Sequence, residues 1–261
     1  MNRLTTTFAA LKAENRAGFV TYIMAGDGET ADLLDQLPAA GADVIELGMP
    51  FTDPMADGPS IQGAALRALD NGMTLKGTLA LAKAFRAKHP DTPLVLMGYA
   101  NPVHHMGYAA FAKAAADAGV DGLICVDLPP EEDTELRQAL AVENISIIRL
   151  ATPTTNDERL KAVAEGSSGF VYYVSTTGVT GMGKGAATDV ADAVKRVQSA
   201  TGLPVAVGFG VRTPEEAAEI ASGGADAVVV GSAIVSANHD GGTKTALELV
   251  RNISAAVRAA P

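Results

Sequence analysis

The chain has 261 residues, 48% of them hydrophobic and 19% charged, which supports a sizeable core and, at this length, one α/β domain spanning residues 1–261. Its net charge of −10 excludes a nucleic-acid binder, which needs clustered Lys and Arg, and directs any phosphate ligand toward backbone N–H groups rather than a basic pocket. A single cysteine, Cys125, excludes an internal disulfide; Met1–Thr5 precede no apolar signal core and no apolar run nears the ~18 residues of a membrane span, so a cytoplasmic protein is expected.

In chain order, Leu4–Glu14 reads as a terminal helix, either simply packed on the domain or plugging the bottom of a barrel. Eight Val- and Ile-rich runs then read as buried parallel strands: Phe19–Met24, Asp43–Gly48, Pro93–Tyr99, Gly122–Val126, Ile145–Leu150, Gly169–Ser175, Pro204–Gly208 and Asp226–Gly231. Helical stretches separate them: Ala31–Ala40, Leu75–Lys88, Tyr108–Ala118, Thr134–Val142, Asp157–Glu165, Val190–Ala200 and Pro214–Ser222. A short helix over Ala233–Ala237 follows the last strand. Strands alternating with helices imply parallel βαβ crossovers, which both an open doubly wound sheet and a (β/α)8 barrel satisfy. Two features favour the barrel. The turn into a strand recurs in nearly the same form as Gly41-Ala42-Asp43, Gly119-Val120-Asp121 and Gly224-Ala225-Asp226, each with a glycine to end a helix. The unusual sequence also lies after strands, where a barrel gathers its active-site loops on one rim.

The most distinctive segment runs from Glu46 to Pro59. Glu46 lies where an apolar strand buries a side chain; burial raises a carboxyl's pKa and makes it a proton shuttle near neutrality. An ion pair to a neighbouring strand, or a side chain turned toward the helices, accounts for it equally well. Asp57 is by itself an N-cap or turn residue before Gly58-Pro59, and Asp53 a turn residue before Pro54. Glu46 and Asp57 gain interest as a pair, one on a rigid strand and one on a loop able to fold over it. Gly208-Phe209-Gly210 and Gly231-Ser232 end the last two strands, where barrels bind phosphate with loop N–H groups and a helix N-terminus. Gly178–Gly185 is a third glycine-rich loop, read as a lid; its spacing is not that of a P-loop. His104-His105 lack a third ligand and read as surface loop, so no metal is expected. Cys125 reads as a small core residue. Tyr22, Tyr99 and Tyr172 are either rim packing or ligand contacts. Arg149, inside an apolar strand, is expected to pair with an acid.

The run Glu46-Leu-Gly-Met-Pro-Phe-Thr-Asp-Pro-Met-Ala-Asp57-Gly-Pro closely resembles the signature of the tryptophan synthase alpha chain. The resemblance continues in family order through Gly98–Pro102, Val126–Pro129, Tyr172–Ser175 with Thr177–Gly181, Gly208–Gly210 and Gly231-Ser232. It implies a (β/α)8-barrel lyase that splits indole-3-glycerol phosphate into indole and glyceraldehyde 3-phosphate. By the same resemblance, Glu46, Asp57 and Tyr172 are the catalytic set. Tyr22, Ile61, Tyr99, Ile124, Val126, Leu150 and Phe209 surround the substrate, with Thr180 on a lid closing against Asp57. Gly181, Gly210, Gly231 and Ser232 hold the phosphate. Pro50, Asp53, Asn101 and Pro129 face a beta-chain partner in an α2β2 complex; pyridoxal phosphate belongs to that partner, and none is expected in this chain. Two rivals are another phosphosugar barrel, an isomerase or epimerase, and a non-catalytic phospholigand-binding subunit. The first leaves the Glu46/Asp57 pair unexplained, and the second leaves both carboxylates without a task.

Overall fold

The computed structural model describes residues 2–174, 184–208 and 210–260. Its core is a sheet of nine parallel strands: β1 Gly18–Met24, β2 Val44–Gly48, β3 Leu94–Gly98, β4 Gly122–Cys125, β5 Ser146–Ile147, β6 Arg149–Ala151, β7 Val171–Val174, β8 Val205–Gly208 and β9 Ala227–Val230. The pairing order is β5-β4-β3-β2-β1-β9-β8-β7-β6. The two ends of that order, β5 and β6, are joined by Ile148 alone, so they are two halves of one strand and the sheet closes into a barrel. The fifth strand, expected to be continuous, divides its pairing: β5 bonds to β4, whereas β6 bonds to β7.

Closure assigns every strand residue a side. Val20, Val44, Val95, Ile124, Ile148, Ala206, Ala227 and Val229 meet inside the barrel, whereas Ile45, Leu47, Leu96, Leu123, Val207 and Val228 join the layer between strands and helices. The bottom is plugged. Helix α1, Arg3–Ala13, sends Leu4, Phe8 and Leu11 into the interior cluster, where Phe8 packs on Phe170 at 5.5 Å. Each such side chain contributes about 1.5–3 kcal/mol of burial. Asn2 caps this helix by accepting from Leu4 N–H at 2.9 Å.

The outer helices are α2 Thr30–Ala40, α3 Pro59–Asp70, α4 Leu75–Lys88, α5 Ala100–Met106, α6 Tyr108–Asp117, α7 Thr134–Val142, α8 Asp157–Ala164, α9 Lys184–Thr201, α10 Pro214–Ser222 and α11 Ser232–Ala259. Helices α3 and α5 are additions to the sequence reading. Each carries its proline in the first turn, where the missing N–H costs nothing, so Pro59 and Pro102 start helices rather than break them. His104-His105, read as surface loop, are therefore exposed residues of α5. Helix α11 begins at Ser232 and does not stop at Ala237; it passes a break at Gly242, whose φ of 74° interrupts the helical geometry.

The three recurrent turns do more than end helices. Gly41, Gly119 and Gly224 have φ of 109°, 77° and 87°. In each turn the following aspartate donates its backbone N–H to the carbonyl of a residue on, or leading into, the neighbouring strand, and its carboxylate accepts that residue's N–H: Asp43 with Phe19, Asp121 with Leu94, Asp226 with Val205. Arg149 points outward and pairs with buried Asp133, while its Nη1 donates to the carbonyls of Ala162, Val163 and Glu165 at the end of α8. Among the described residues, no helix is long and apolar enough to cross a membrane.

Candidate active site

Glu46 is the central observation. Strand parity places it inside the barrel, with Val44 before it on the same face and Tyr22 beside it in register. It is 0% exposed, and among the described residues neither carboxyl oxygen has a hydrogen-bond partner. Burial pushes its pKa up to about 8. The ion-pair and helix-facing alternatives are thereby removed. The other buried acids among the described residues, Asp27, Asp121 and Asp133, are all paired, for an unpaired carboxylate is costly to bury. Glu46 is instead held in its neutral form at neutral pH.

Asp57 stands above it on the loop from β2 to α3. The residue that caps α3 is Gly58, with no side-chain hydrogen bond, so the Asp57 carboxylate is not consumed as a helix cap. Its loop is fastened over the barrel mouth: Tyr99 accepts from Ala56 N–H at 3.0 Å, Phe51 stacks on Tyr99 at 5.4 Å, and Gln62 donates to the Asp57 carbonyl at 2.8 Å. Burial raises the Asp57 pKa, and the Tyr99 hydroxyl works against that rise. Asp57, Tyr22, Tyr99 and Val126 line one narrow cleft. Ile124 and Leu150 belong to the interior cluster beneath, and Ile61 packs from α3 against Tyr22.

Tyr22 and Tyr172 are both buried in reach of these acids. Burial raises both phenols; next in effect on Tyr22 are the charges of Asp57 and then Glu46, and on Tyr172 the charge of Glu46. Tyr172 makes no hydrogen bond to Glu46 here, so it neighbours the acid rather than anchoring it. Two glycines make room for these rings. A Cβ on Gly48 would stand 2.2 Å from the Tyr22 hydroxyl, and one on Gly208 would stand 2.4 Å from that of Tyr172. Gly208 is thus a clearance residue in addition to a turn residue.

At the ends of β8 and β9 lie the phosphate candidates. Gly210 has φ of 84°, open in practice to glycine, and its loop is fastened by the Thr213–Glu216 capping box of α10, with Arg212 N–H donating to Glu216 at 2.7 Å. Gly231 and exposed Ser232 form the start of α11, which has no side-chain cap. Thr180, Gly181 and Phe209, with the lid from Gly178, lie outside the described residues. Of the four rim residues, Asp53, Asn101 and Pro129 are exposed on the segments after β2, β3 and β4, whereas Pro50 is buried under its loop. Cys125 is buried, and burial pushes its thiol up to about 12, far from a nucleophile. Among the described residues, no three His, Cys, Asp or Glu side chains gather as a metal site.

Met24, Met49, Phe51, Ala65 and Met97 also line the cleft, and sequence reasoning did not name them as site residues. Met24, Met49, Phe51 and Met97 lie at, or just past, the C-terminal ends of β1, β2 and β3. That position is the signal that would have found them.

A closed (β/α)8 barrel with a buried acid unpaired among the described residues, a second acid above it and a glycine-edged helix start on its rim has the architecture of a barrel enzyme. A family model described as "Tryptophan synthase alpha chain" matches residues 8–259. The chain is 62% identical to the tryptophan synthase alpha chain of Caulobacter vibrioides over 237 residues, 90% of this chain and 86% of that one. It is 55% identical to that of Rhizorhabdus wittichii over 266 aligned positions, covering 100% and 98%. Among solved structures, the alpha subunit from Legionella pneumophila superposes with a TM-score of 0.91 at 36% identity over 98% of each chain. A tryptophan synthase structure from Mycobacterium tuberculosis gives 0.90 at 38% over 99% of each. The chain belongs to the tryptophan synthase alpha chain family, lyases that carry the indole-3-glycerol phosphate cleavage half-reaction of tryptophan synthesis.

Proposed function

We propose that residues 1–261 form one barrel domain in which Glu46 is both acid and base of the cleavage. The neutral carboxyl gives its proton to indole C3, which leaves the ring cationic. The resulting carboxylate then takes the proton of the adjacent glycerol hydroxyl. As that proton leaves, the bond between C3 and the glycerol carbon breaks: its electrons restore the aromatic ring, and the alkoxide becomes the aldehyde of glyceraldehyde 3-phosphate. Asp57 accepts the indole N–H and offsets the ring's positive charge. The chain needs no cofactor for these steps, since they are two proton transfers and a C–C cleavage whose electrons return to the cationic ring.

Tyr172 and Tyr22 wall the acid, and Tyr22, Ile61, Tyr99, Ile124, Val126, Leu150 and Phe209 enclose the substrate. Gly181, Gly210, Gly231 and Ser232 hold the phosphate through backbone N–H groups, the last two at the start of α11, and Thr180 closes over Asp57. Asp53, Asn101 and Pro129 face a beta chain that carries pyridoxal phosphate, in an α2β2 assembly in the cytoplasm; Pro50 supports that rim from beneath.

The observation that carries this reading is a fully buried Glu46 with no partner. Its test is indole release from indole-3-glycerol phosphate, with and without a beta chain, by wild type and Glu46→Gln. Expected are weak activity alone, stimulation by the beta chain, and a loss of about 10²–10⁴-fold in the variant. A variant as active as wild type would sink the mechanism.

A further inference from the structure

Helix α3 begins two residues after Asp57 and carries Ile61 in its first turn, so its position along its own axis sets where both residues stand. Its buried face offers little to fix that position. Beyond Ile61 it consists of Ala64, Ala65 and Ala68, a smooth surface against Tyr22, Met24 and Val235. Small side chains interlock weakly, so apolar packing alone leaves the helix free to slide.

Polar contacts supply the missing register. Arg67, in the last turn of α3, forms a two-pronged ion pair with Asp27, with Nε and Nη2 at 2.7 and 2.8 Å from the two carboxylate oxygens. Asp27 lies on the loop between β1 and α2 and is buried. That loop is itself held on three sides. Thr30 donates to the carbonyls of Met24 and Asp27, Asn71 at the end of α3 donates to the Gly26 carbonyl, and Asn238 of α11 lies 3.4 Å from the Asp27 carbonyl. At the other end of α3, the Ser60 and Ser236 hydroxyls meet at 3.2 Å.

We infer that the Arg67–Asp27 pair is a positioning device for the cleavage, locking α3 and therefore Asp57 and Ile61 in register with α11, whose start carries Gly231 and Ser232. The pair touches no reacting atom; it acts through the helix. This inference rests on the proposed function of the cleft. Misplacement of a reacting group by about 1 Å costs about 10²-fold in rate, so the pair controls kcat while the phosphate grip and KM are largely spared.

The test is steady-state indole release at a temperature where every variant is folded by circular dichroism. Arg67→Gln should lower kcat at least about tenfold with KM within about threefold of wild type. Arg67→Lys, which supplies charge but not the fork, should recover part of the loss. The double variant Asp27→Asn/Arg67→Gln should be no slower than the slower single variant, because both remove one interaction. A folded Arg67→Gln with kcat within about twofold of wild type, a loss confined to KM, or additive losses in the double variant would each overturn the inference. If Arg67→Gln does not fold, Arg67→Lys decides: reduced kcat at unchanged KM supports it, and wild-type kcat overturns it. An inactive wild type counts against the functional reading and takes this inference with it; an active wild type beside an equally active Arg67→Gln overturns this inference alone.

Discussion

At the bottom of the barrel, Asp43, Asp121 and Asp226 are each fully engaged. Each accepts a backbone N–H on or beside the neighbouring strand, and each has a side-chain partner: Arg16 for Asp43, Arg86 and Arg3 for Asp121, Gln198 for Asp226. At the other end, Glu46 is more deeply buried than any of the three and has no partner among the described residues. The same functional group is therefore used in opposite ways along one set of strands. Paired carboxylates at the bottom join one strand to the next. The unpaired one at the top opposes folding in its charged form, so the protein keeps it protonated.

This contrast can be attacked at several points. The largest effect concerns the stability that Glu46 costs. Its pKa rises from 4.5 to about 8 on folding, so the folded state holds the proton more tightly. That contribution is fully present below pH 4.5, declines as pH rises, and is lost once pH passes about 8. Glu46→Gln removes the dependence. Its stability relative to wild type should grow between pH 4.5 and 8.5 by on the order of 3–5 kcal/mol, read from urea melts at each pH. Parallel pH curves for the two proteins would remove the distinction between the two ends of the barrel.

The next effect belongs to the bottom. Asp121→Ala leaves Arg86, largely buried, without its partner and orphans the Leu94 N–H. We expect a loss of about 3–5 kcal/mol in urea melts, with indole release per folded molecule unchanged. A loss of activity without a loss of stability would show that the bottom rim is not purely structural. Asp226→Ala should cost less, about 1–2 kcal/mol, because its side-chain partner is a neutral glutamine and its carboxylate is more exposed. If the two substitutions prove equal, the guanidinium partners add nothing to the shared backbone bond.

Much of this molecule follows from local chemistry. Runs of Val and Ile form strands because β-branched residues suit a buried pleated surface. Glycine ends the helices at 41, 119 and 224 because the left-handed turn suits a residue without Cβ. Leu4, Phe8 and Leu11 lie on one helix face because their spacing follows the helical period. The same locality explains what was missed: α3 opens on Pro59 directly after a stretch read as a turn, and the expectation for His104-His105 did not allow Pro102 to sit harmlessly in a first turn. The signature around Glu46 and Asp57 pointed to a family, but the residues alone left Glu46 with three possible surroundings.

Closure of the barrel decided among those three. Whether Glu46 faces the interior or the helices depends on strand parity and on which face becomes the inside, and both are set by distant pairings such as that of β6 with β7. The same closure put Asp133 beside Arg149 across 16 positions, Arg67 beside Asp27 across 40, and the Tyr22 hydroxyl where Gly48 must have no side chain. Strand and helix propensities act over a few residues, so the sequence by itself determined the elements and their turns. Burial, partnership and clearance are properties of space shared by residues far apart in the chain, and only the tertiary structure decided them.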